Sequence, residues 1–453
     1  MRVLLAIWAG KLTAVALRLL GRAGTHVPGL VARKVHPGII GAIRHPARVI
    51  AVTGTNGKTT VSNLLAEALQ GEDLRIASNR NGSNLAAGIT STLIGAVTWT
   101  GRSRADVGVF EMDERSAKLV LPGLRPDVLV GMNLTRDSIK RNAHPAYIAW
   151  IISSAIGKGT TLVLNADDLI ISAIGTEENR RVFFSVDRLP GDGDRPSGAA
   201  VDVAICPVCD HALDWNFWRF NHIGRVTCPQ CGFRSPEAQY RATAVEGDRI
   251  TMSLDGELRE ATLINNSIVN VYNEVAVAAA LDELGIPRDR IVAAFDRIQP
   301  PTTRFDTDQV GQARIVRILT KGLVGVACSR AFDYLRSFPG RKALVLTIDE
   351  VSERTTEVEN PAWTYDADYE YLADDTIGQI AVGGVRRHDQ ALRLAIAGVD
   401  PTRIITVESE PDAADAVALD DVDVVFNLHS VHNAVITGTP VQRRLRERLE
   451  GRA

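Results

Sequence analysis

Short apolar runs rich in β-branched residues alternate along most of the chain with stretches whose apolar residues recur at helical spacing. In the first part of the chain, the runs that predict buried strands are Arg48–Val52, Val107–Glu111, Val128–Met132, Thr161–Leu164 and Arg181–Ser185. Asn273–Leu284 has the pattern of a helix. Strands that alternate with helices in this way are typical of a parallel sheet wound with helices. We therefore predict an α/β fold.

The alternation begins again after the Pro300-Pro301 pair, which indicates a linker. Buried strands are predicted there at Lys342–Thr347, Gln379–Val382, Arg403–Val407 and Val422–Phe426. A length of 453 residues suits two to three domains. We predict a helical segment at 1–46, a first α/β domain at 47–300 and a second, Rossmann-like α/β domain at 301–453.

The first twenty residues predict an amphipathic helix. An apolar row recurs at helical spacing and consists of Leu4, Leu5, Trp8, Leu12, Val15 and Leu19. Lys11 and Arg18 interrupt the segment, and no small-residue cleavage site follows, so neither a membrane span nor a signal peptide is expected. The row fits either a helix packed on the protein or contact with a membrane surface. Both alternatives predict a cytoplasmic protein, and contact with a membrane surface would place it at the inner face of the membrane.

The composition is that of a globular protein, with 45% hydrophobic and 23% charged residues. Lys and Arg number 51 against 54 Asp and Glu, which leaves a formal net charge of -3. A chain with this balance has no general electrostatic attraction for nucleic acid, and no nucleic-acid partner is predicted.

One strand ends in a glycine-bracketed turn that predicts a phosphate-binding loop. After Arg48–Val52 the chain continues as Thr53 and then Gly54, Thr55, Asn56, Gly57, Lys58, Thr59 and Thr60. The glycines would let backbone N–H groups approach an anion, while the following helix points its positive end at it. We predict that this loop binds ATP, with Lys58 reaching the β- and γ-phosphates and the Thr59 hydroxyl binding Mg²⁺.

Four of the five cysteines form two C-x-x-C pairs, Cys206 with Cys209 and Cys228 with Cys231. Two such pairs separated by eighteen residues predict a zinc ribbon, inserted at about 201–240, in which four thiolates hold one Zn²⁺. The aromatic residues between the pairs, Trp215, Phe217, Trp218 and Phe220, are expected to cover this small module. His222 is expected to make a hydrogen bond in the ribbon rather than to bind the metal.

Polar residues follow several predicted strands, where open α/β sheets place their sites. Glu111 ends one strand at the start of a Glu-Met-Asp-Glu run and is predicted to bind or orient Mg²⁺ opposite the phosphate loop. Asn133–Asp137 and Asn165–Asp168 follow the next two strands. Asn270 and Asn273 precede or open a helix and are predicted to bind adenine or ribose.

The chain resembles the MurT family, which comprises the ligase subunits of lipid II isoglutaminyl synthases. The resemblance lies in these motifs, in their order and in their position around the four-cysteine insertion. The resemblance covers nearly the whole chain and implies a Mur ligase-type ATPase domain. It implies ATP-dependent amidation of the D-glutamate α-carboxylate of lipid II through an acyl phosphate, in peptidoglycan synthesis. Ammonia would come from a separate GatD-type glutaminase. Lys58 and Glu111 would act in phosphoryl transfer, and Arg304 is included among the nucleotide-binding candidates.

The family lends the glutaminase an aspartate for its catalytic triad, and here the sequence departs from the pattern. Asn360 stands at the matching position, beside Glu359. An Asn can orient a His, so Asn360 is the candidate, with Glu359 as the alternative. Two other functions remain open: an amino-acid-adding Mur or folylpolyglutamate-type ligase, and a nucleotide-gated zinc-ribbon binding protein without ligase activity.

Overall fold

A computed structural model describes residues 1–80, 82–136, 144–196, 198, 201–264, 267–298, 305–320, 324–348, 361–430 and 439–451. The chain divides into two compact units. Unit 1 comprises Met1–Thr135, His144–Pro196 and Asp202–Pro300. Unit 2 comprises Pro301–Ala453 together with the short segments Arg136–Ala143 and Ser197–Val201.

Unit 1 contains all the elements up to residue 298. Its described helices are α1 (Arg2–Leu19), α2 (Val27–Val35), α3 (Ile39–Ala42), α4 (Lys58–Gln70), α5 (Ala86–Ala96), α6 (Ala117–Leu124), α7 (Pro145–Ser153), α8 (Leu169–Ser172), α9 (Ile268–Glu283) and α10 (Arg288–Arg297). Its strands are β1 (Arg48–Thr53), β2 (Ile76–Ser78), β3 (Val107–Glu111), β4 (Val128–Gly131), β5 (Thr161–Asn165), β6 (Arg181–Val186), β7 (Asp214–Phe220), β8 (Ile223–Thr227), β9 (Tyr240–Glu246), β10 (Arg249–Leu254) and β11 (Glu257–Thr262).

A nine-stranded sheet with the order β11-β10-β9-β6-β5-β4-β1-β3-β2 forms the centre of unit 1. Its strands from β2 to β6 are parallel, which confirms the predicted α/β fold. β1 lies between β3 and β4, with Val52 beside Glu111 and Thr53 beside Gly131. The loops that leave these three strands therefore start at the same edge of the sheet. The antiparallel strands β10 and β11, which extend the sheet beyond β9, are absent from the prediction.

Helices cover both faces of this sheet with apolar side chains. α4 and α9 pack on one face, where residues 271–281 of α9 are all buried. Side chains of α1, α2, α5 and α6 contribute to the core on the other face. A sheet buried on both faces explains the near-continuous apolar runs that predicted its strands.

α1 confirms the predicted N-terminal helix, but its apolar row is not the face that packs on the protein. The buried residues of α1 are Ala6, Ile7 and Gly10. A Cβ atom at Gly10 would lie 2.8 Å from Cδ1 of Ile94, so a small residue is needed there for close approach. Leu12 and the other large residues of the row, apart from half-buried Leu4, are exposed. In the part of the chain that the structure describes, no helix combines the length and apolarity needed to cross a membrane.

Unit 2 contains a six-stranded sheet with the order β12-β13-β17-β14-β15-β16. Its strands are β12 (Phe305–Val310), β13 (Ala313–Thr320), β14 (Lys342–Thr347), β15 (Ile377–Gly383), β16 (Ile404–Val407) and β17 (Val424–Ser430). Its described helices are α11 (Gly325–Ser337), α12 (Arg387–Ile396), α13 (Ala413–Ala416) and α14 (Thr439–Glu450). All neighbouring strands from β13 to β16 in this order are parallel, and β12 is antiparallel to β13. The four strands predicted after the proline pair are all present.

Candidate nucleotide site and four-cysteine ribbon

The loop between β1 and α4 depends on two glycines. Gly54 and Gly57 have φ angles of 131° and 89°, in the region that favours glycine. A Cβ atom at Gly54 would lie 2.8 Å from the carbonyl oxygen of Asn133, and one at Gly57 would lie 2.4 Å from Oδ1 of Asn273. Neither position has room for a side chain. The turn can form only with glycine at both ends, as the sequence predicted.

The segment after β4 holds the middle of this loop in place. The backbone N–H of Thr55 donates to the carbonyl oxygen of Asn133, at 2.7 Å. Asn133 also accepts from the Asn56 N–H through Oδ1 and donates through Nδ2 to the Asn56 carbonyl, both at 3.0 Å. The Thr55 hydroxyl donates to the Thr135 carbonyl and accepts from the Thr135 N–H. These reciprocal bonds fix the loop conformation before any ligand binds.

Lys58, the first residue of α4, turns back over the loop. Its ammonium group donates to the carbonyl oxygens of Gly54 and Thr55 and to Oε1 of Glu114, the last at 2.8 Å. The Lys58 and Glu114 side chains are only 11% and 4% exposed. Burial raises the pKa of Glu114, although the charge of Lys58 acts in the opposite direction. Lys58 is therefore a largely buried cation held against two carbonyl oxygens of the loop at the N-terminus of α4, a place that suits an anionic ligand.

Glu111 lies at the end of β3 and is oriented by two asparagines. Asn84 Nδ2 donates to Glu111 Oε1 at 2.9 Å. Asn79 accepts from the Glu111 N–H and donates to the Glu111 carbonyl oxygen, both at 2.9 Å. Thr59 is exposed in the first turn of α4. A carboxylate and a hydroxyl at this edge of the sheet are ligand types that Mg²⁺ accepts, and their role as its ligands remains a prediction.

Some of the remaining nucleotide-binding candidates lie beside the phosphate loop, and others lie outside the described residues. Asn273 is 1% exposed and lies under Gly57, where its Nδ2 donates to Oδ1 of half-buried Asn270 at 3.1 Å. Asn273 therefore supports the phosphate loop. Thr60 lies in the first turn of α4 and is half-buried. Arg304, Glu359 and Asn360 lie outside the described residues.

The four paired cysteines come together as the spacing predicts. Their sulfur atoms all lie within 4.8 Å of one another, with Cys206 to Cys231 at 3.6 Å and Cys209 to Cys228 at 3.5 Å. Four thiolates bound at about 2.3 Å to one tetrahedral ion would lie about 3.8 Å apart. A disulfide would need about 2.05 Å. The donor set and its spacing therefore fit a metal ion.

Each cysteine pair sits on a tight turn of the same shape. Asp210 and Gly232, each four residues after the first cysteine of its pair, have positive φ angles of 59° and 76°. Their backbone N–H groups donate to the carbonyl oxygens of Cys206 and Cys228, both at 3.0 Å. Glycine occupies this position at the second pair, and an aspartate occupies it at the first.

The aromatic residues of the ribbon do not all cover the cysteines. Trp215 packs against the cysteine cluster, which also contains Leu213 and Val226. Phe220 packs against the core of unit 1. The expectation that all four aromatic residues cover the metal module was therefore wrong for Phe220. That residue instead helps to attach the hairpin of β7 and β8 to the rest of the unit.

His222 attaches the ribbon to unit 1 through buried carboxylates. Its Nε2 lies 3.1 Å from Oδ1 of Asp168, and its Nδ1 lies 3.5 Å from Oδ2 of Asp202. Burial by itself would lower the pKa of His222, but the two carboxylates raise it to about 9. Asp168 also accepts from the N–H of Leu134, at 2.8 Å, within the segment that holds the phosphate loop. His222 thus pairs with one carboxylate inside the ribbon, that of Asp202, and with one outside it, that of Asp168.

Arg219 makes a second buried attachment. It donates to both carboxylate oxygens of Asp192, at 2.9 and 2.6 Å, and also to the Tyr272 hydroxyl. Tyr272 in turn donates to Oδ2 of Asp167 at 2.7 Å. Burial raises the pKa of Asp167 to about 6, although Arg219 acts in the opposite direction. Arg219, which lies on β7 within the ribbon, thus anchors the ribbon to other parts of unit 1.

Sequence reasoning missed the partner of Lys58 and the residues that brace the loop. Glu114 stood within the predicted run of carboxylates, but nothing local distinguishes it from Glu111. Asn133, Thr135 and Asp168 lay within polar segments that the sequence placed after strands, without indicating their contacts. The signal that could have found them is the recurrence of polar residues after neighbouring strands.

Two family models match the chain. The Mur ligase middle domain matches residues 52–189, and the MurT ligase C-terminal domain matches residues 325–430. A Staphylococcus aureus (strain COL) protein named lipid II isoglutaminyl synthase (glutamine-hydrolyzing) subunit MurT is 29% identical over 408 residues, which are 89% of this chain and 90% of that protein. The Streptococcus pneumoniae (strain ATCC BAA-255 / R6) protein of the same name is 27% identical over 412 residues, 89% of each chain.

Solved structures share the fold at low sequence identity. A pseudomurein peptide ligase type C from Methanothermus fervidus superimposes with a TM-score of 0.64 at 20% identity, covering 90% of this chain and 80% of that one. MurF ligase from Thermotoga maritima in complex with ADP has a TM-score of 0.55 at 16% identity, covering 94% and 85%. At these identities the likeness establishes a Mur ligase fold alone.

Proposed function

The chain is a divergent member of the MurT-type Mur ligases. From this premise we propose that it is the ATP-dependent amidating subunit of a lipid II isoglutaminyl synthase. Its substrate would be the D-glutamate α-carboxylate of the lipid II stem peptide. That carboxylate would be activated as an acyl phosphate and then attacked by ammonia.

The phosphate loop is the observation that carries this proposal. Gly54 and Gly57 have no side chains that would block the approach of a phosphate to the backbone of the loop. Lys58 is held beside the loop with little exposure to solvent. ATP would supply the phosphoryl group, with Mg²⁺ to balance its charge. Lys58 would hold the transferring phosphoryl charge, while Thr59 and Glu111 would hold the metal ion.

A separate glutaminase subunit of the GatD type is proposed as the source of ammonia. The relatives from Staphylococcus and Streptococcus are named as subunits of glutamine-hydrolyzing enzymes. In this chain Cys328 is buried in α11 and packs in the core of unit 2, so it is not placed as a nucleophile. The proposed complex therefore needs a partner that brings the glutaminase cysteine and histidine.

An amidation assay with and without the partner tests the function. The purified chain, a glutaminase encoded beside it, lipid II and ATP should yield amidated lipid II when glutamine is supplied, detected by mass spectrometry. The chain alone should give the same product when ammonia replaces glutamine. If neither nitrogen source yields the amide while ATP binds normally, the proposal is wrong.

Asn360 is predicted to orient the histidine of the partner through its amide oxygen, a weaker acceptor than a carboxylate. Asn360→Ala should lower glutamine hydrolysis by the complex, by about tenfold or more. Asn360→Asp should keep or raise it, because a carboxylate also stabilises the imidazolium. Amidation with free ammonia should be unchanged in both variants.

Glu359→Ala is the matched control for Asn360. If it abolishes glutaminase activity while both Asn360 variants retain the parental level, Glu359 is the triad residue. If none of these variants changes glutamine hydrolysis, the partner completes its triad without this chain.

We further propose that the four cysteines bind one zinc ion per chain. Small ribbons of this kind gain much of their folding free energy from the metal. Cys206→Ser combined with Cys228→Ser should therefore remove the zinc. The zinc content per chain would be measured by elemental mass spectrometry on protein purified without chelator. Cys328→Ser is the control and should leave one zinc per chain. Full zinc content in the double variant would contradict the assignment.

A further inference from the structure

The N-terminal helix presents an apolar row to solvent. Exposed fractions along α1 are 45% for Leu5, 42% for Trp8, 61% for Leu12, 46% for Val15 and 83% for Leu19. These positions follow one another at intervals of three or four residues, so they lie on one stripe of the helix. Large apolar side chains exposed in a continuous row indicate a surface that binds something.

The opposite side of α1 is already used for packing. Ala6, Ile7 and Gly10 are buried in the core that α1 shares with α5. The exposed row is therefore not part of the interior of unit 1. One face of the helix packs on the protein, and the other is exposed to solvent.

The N-terminal segment that contains the row carries charge of a single sign. Residues 1–46 contain no aspartate or glutamate, and their cationic residues are Arg2, Lys11, Arg18, Arg22, Arg33, Lys34 and Arg44. On a helix with 3.6 residues per turn, Lys11 and Arg18 adjoin the apolar row. The chain as a whole has a net charge of -3, so this positive segment stands out from the rest.

A second tryptophan extends the surface. The indole N–H of Trp8 donates to the carbonyl oxygen of Trp99 at 2.8 Å, and the ammonium group of Lys11 lies 5.6 Å from the centre of the Trp99 ring. Trp99 is 47% exposed. Indole rings have an apolar body and a polar N–H, so they are favoured at the boundary between lipid and water.

From this charge and this exposed row we infer that α1 lies flat on a bilayer that contains anionic phospholipids. The row of Leu5, Trp8, Leu12, Val15 and Leu19 enters the boundary between headgroups and acyl chains. Lys11 and Arg18 contact lipid phosphates. The inference rests on the proposed function in one respect: such docking would bring the nucleotide site to an acceptor that is attached to a membrane lipid.

Sedimentation with lipid vesicles tests this inference. The protein should bind vesicles of phosphatidylglycerol mixed with phosphatidylcholine, and high salt should weaken the binding. Leu12→Asn combined with Leu19→Asn should weaken it by at least about tenfold, because two apolar side chains of the row are lost. Arg18→Gln combined with Arg22→Gln should weaken it by roughly tenfold through loss of charge.

The matched control changes two other exposed leucines of unit 1. Leu119 on α6 and Leu258 on β11 are 53% and 62% exposed, and changing both to Asn should leave vesicle binding intact. Circular dichroism would confirm that all variants are folded. These vesicles contain no lipid II and no ATP, so the result does not depend on the proposed reaction.

Three results would overturn the inference: no binding to anionic vesicles, equal binding to pure phosphatidylcholine, or equal weakening by the control pair. Light scattering would identify another occupant. A dimer that Leu12→Asn with Leu19→Asn dissociates, in protein that does not bind vesicles, would assign the row to a second copy of this chain.

Discussion

Lys58→Ala should reduce ATP turnover in the complete amidation mixture by roughly a thousandfold. The ammonium group of Lys58 is the positive charge placed over the backbone of the phosphate loop, and its loss removes stabilisation of the transferring phosphoryl group. The variant should also be less stable. Lys58 is the salt-bridge partner of Glu114, whose side chain is 4% exposed, and removing one member of a buried pair costs about 3 kcal/mol.

Glu114→Gln separates these two effects. In Lys58→Ala combined with Glu114→Gln, no carboxylate is left buried without its lysine, so the melting temperature should return toward the parental value. ATP turnover should stay as low as in Lys58→Ala. A double variant that regains turnover along with stability would mean that Lys58 has only a structural role.

Asp168→Ala should lower the free energy of unfolding of unit 1 by about 3 to 5 kcal/mol. The change leaves His222 buried with only one of its two carboxylates. It also removes the acceptor for the N–H groups of Leu134, Ile170 and Ile171. Urea denaturation followed by tryptophan fluorescence would measure the effect.

Asp113→Ala is the matched control, because Asp113 also caps the start of a helix and accepts from two backbone N–H groups. Among the described residues it has no contact with a buried histidine, so its loss should cost only about 1 kcal/mol. If Asp168→Ala costs no more than Asp113→Ala, the pair with His222 contributes nothing to stability.

The same pair predicts a pH dependence with a definite sign. The pKa of His222 is raised to about 9 from an ordinary value of 6.5. A group with a raised pKa in the folded protein stabilises it fully below pH 6.5, and this stabilisation is lost as pH rises toward 9. The total is roughly 3 kcal/mol. His222→Gln should remove this part of the pH dependence, so parallel profiles for the two proteins between pH 6.5 and 9 would contradict it.

Five of the nine strands in the sheet of unit 1 and four of the six in the sheet of unit 2 could be predicted, because their pattern is local. β3 and β14 have the predicted bounds, and the other predicted strands differ by a few residues at their ends. A strand that is buried on both faces must be apolar along its length, whatever its neighbours are. β10 and β11 were missed because polar residues interrupt their apolar pattern: β11 is the edge strand of the sheet, and β10 contains Arg249, Thr251 and Ser253.

The sequence by itself determined the phosphate loop and the cysteine cluster. Gly54 and Gly57 set the turn through backbone geometry that only glycine adopts readily. Each C-x-x-C pair likewise brings two sulfur atoms together within one short turn. Such features depend on residues a few positions apart, so their spacing alone predicts them.

Only the tertiary structure decided which charged groups meet. Lys58 and Glu114 are 56 residues apart, and Asp168 and His222 are 54 apart. Local patterns cannot choose Glu114 over Glu111, because both are carboxylates at the end of the same strand and only the folded chain decides which of them meets Lys58. The exposed face of α1 was decided in the same way: close packing at Gly10 required small residues, and this left the large apolar row facing solvent.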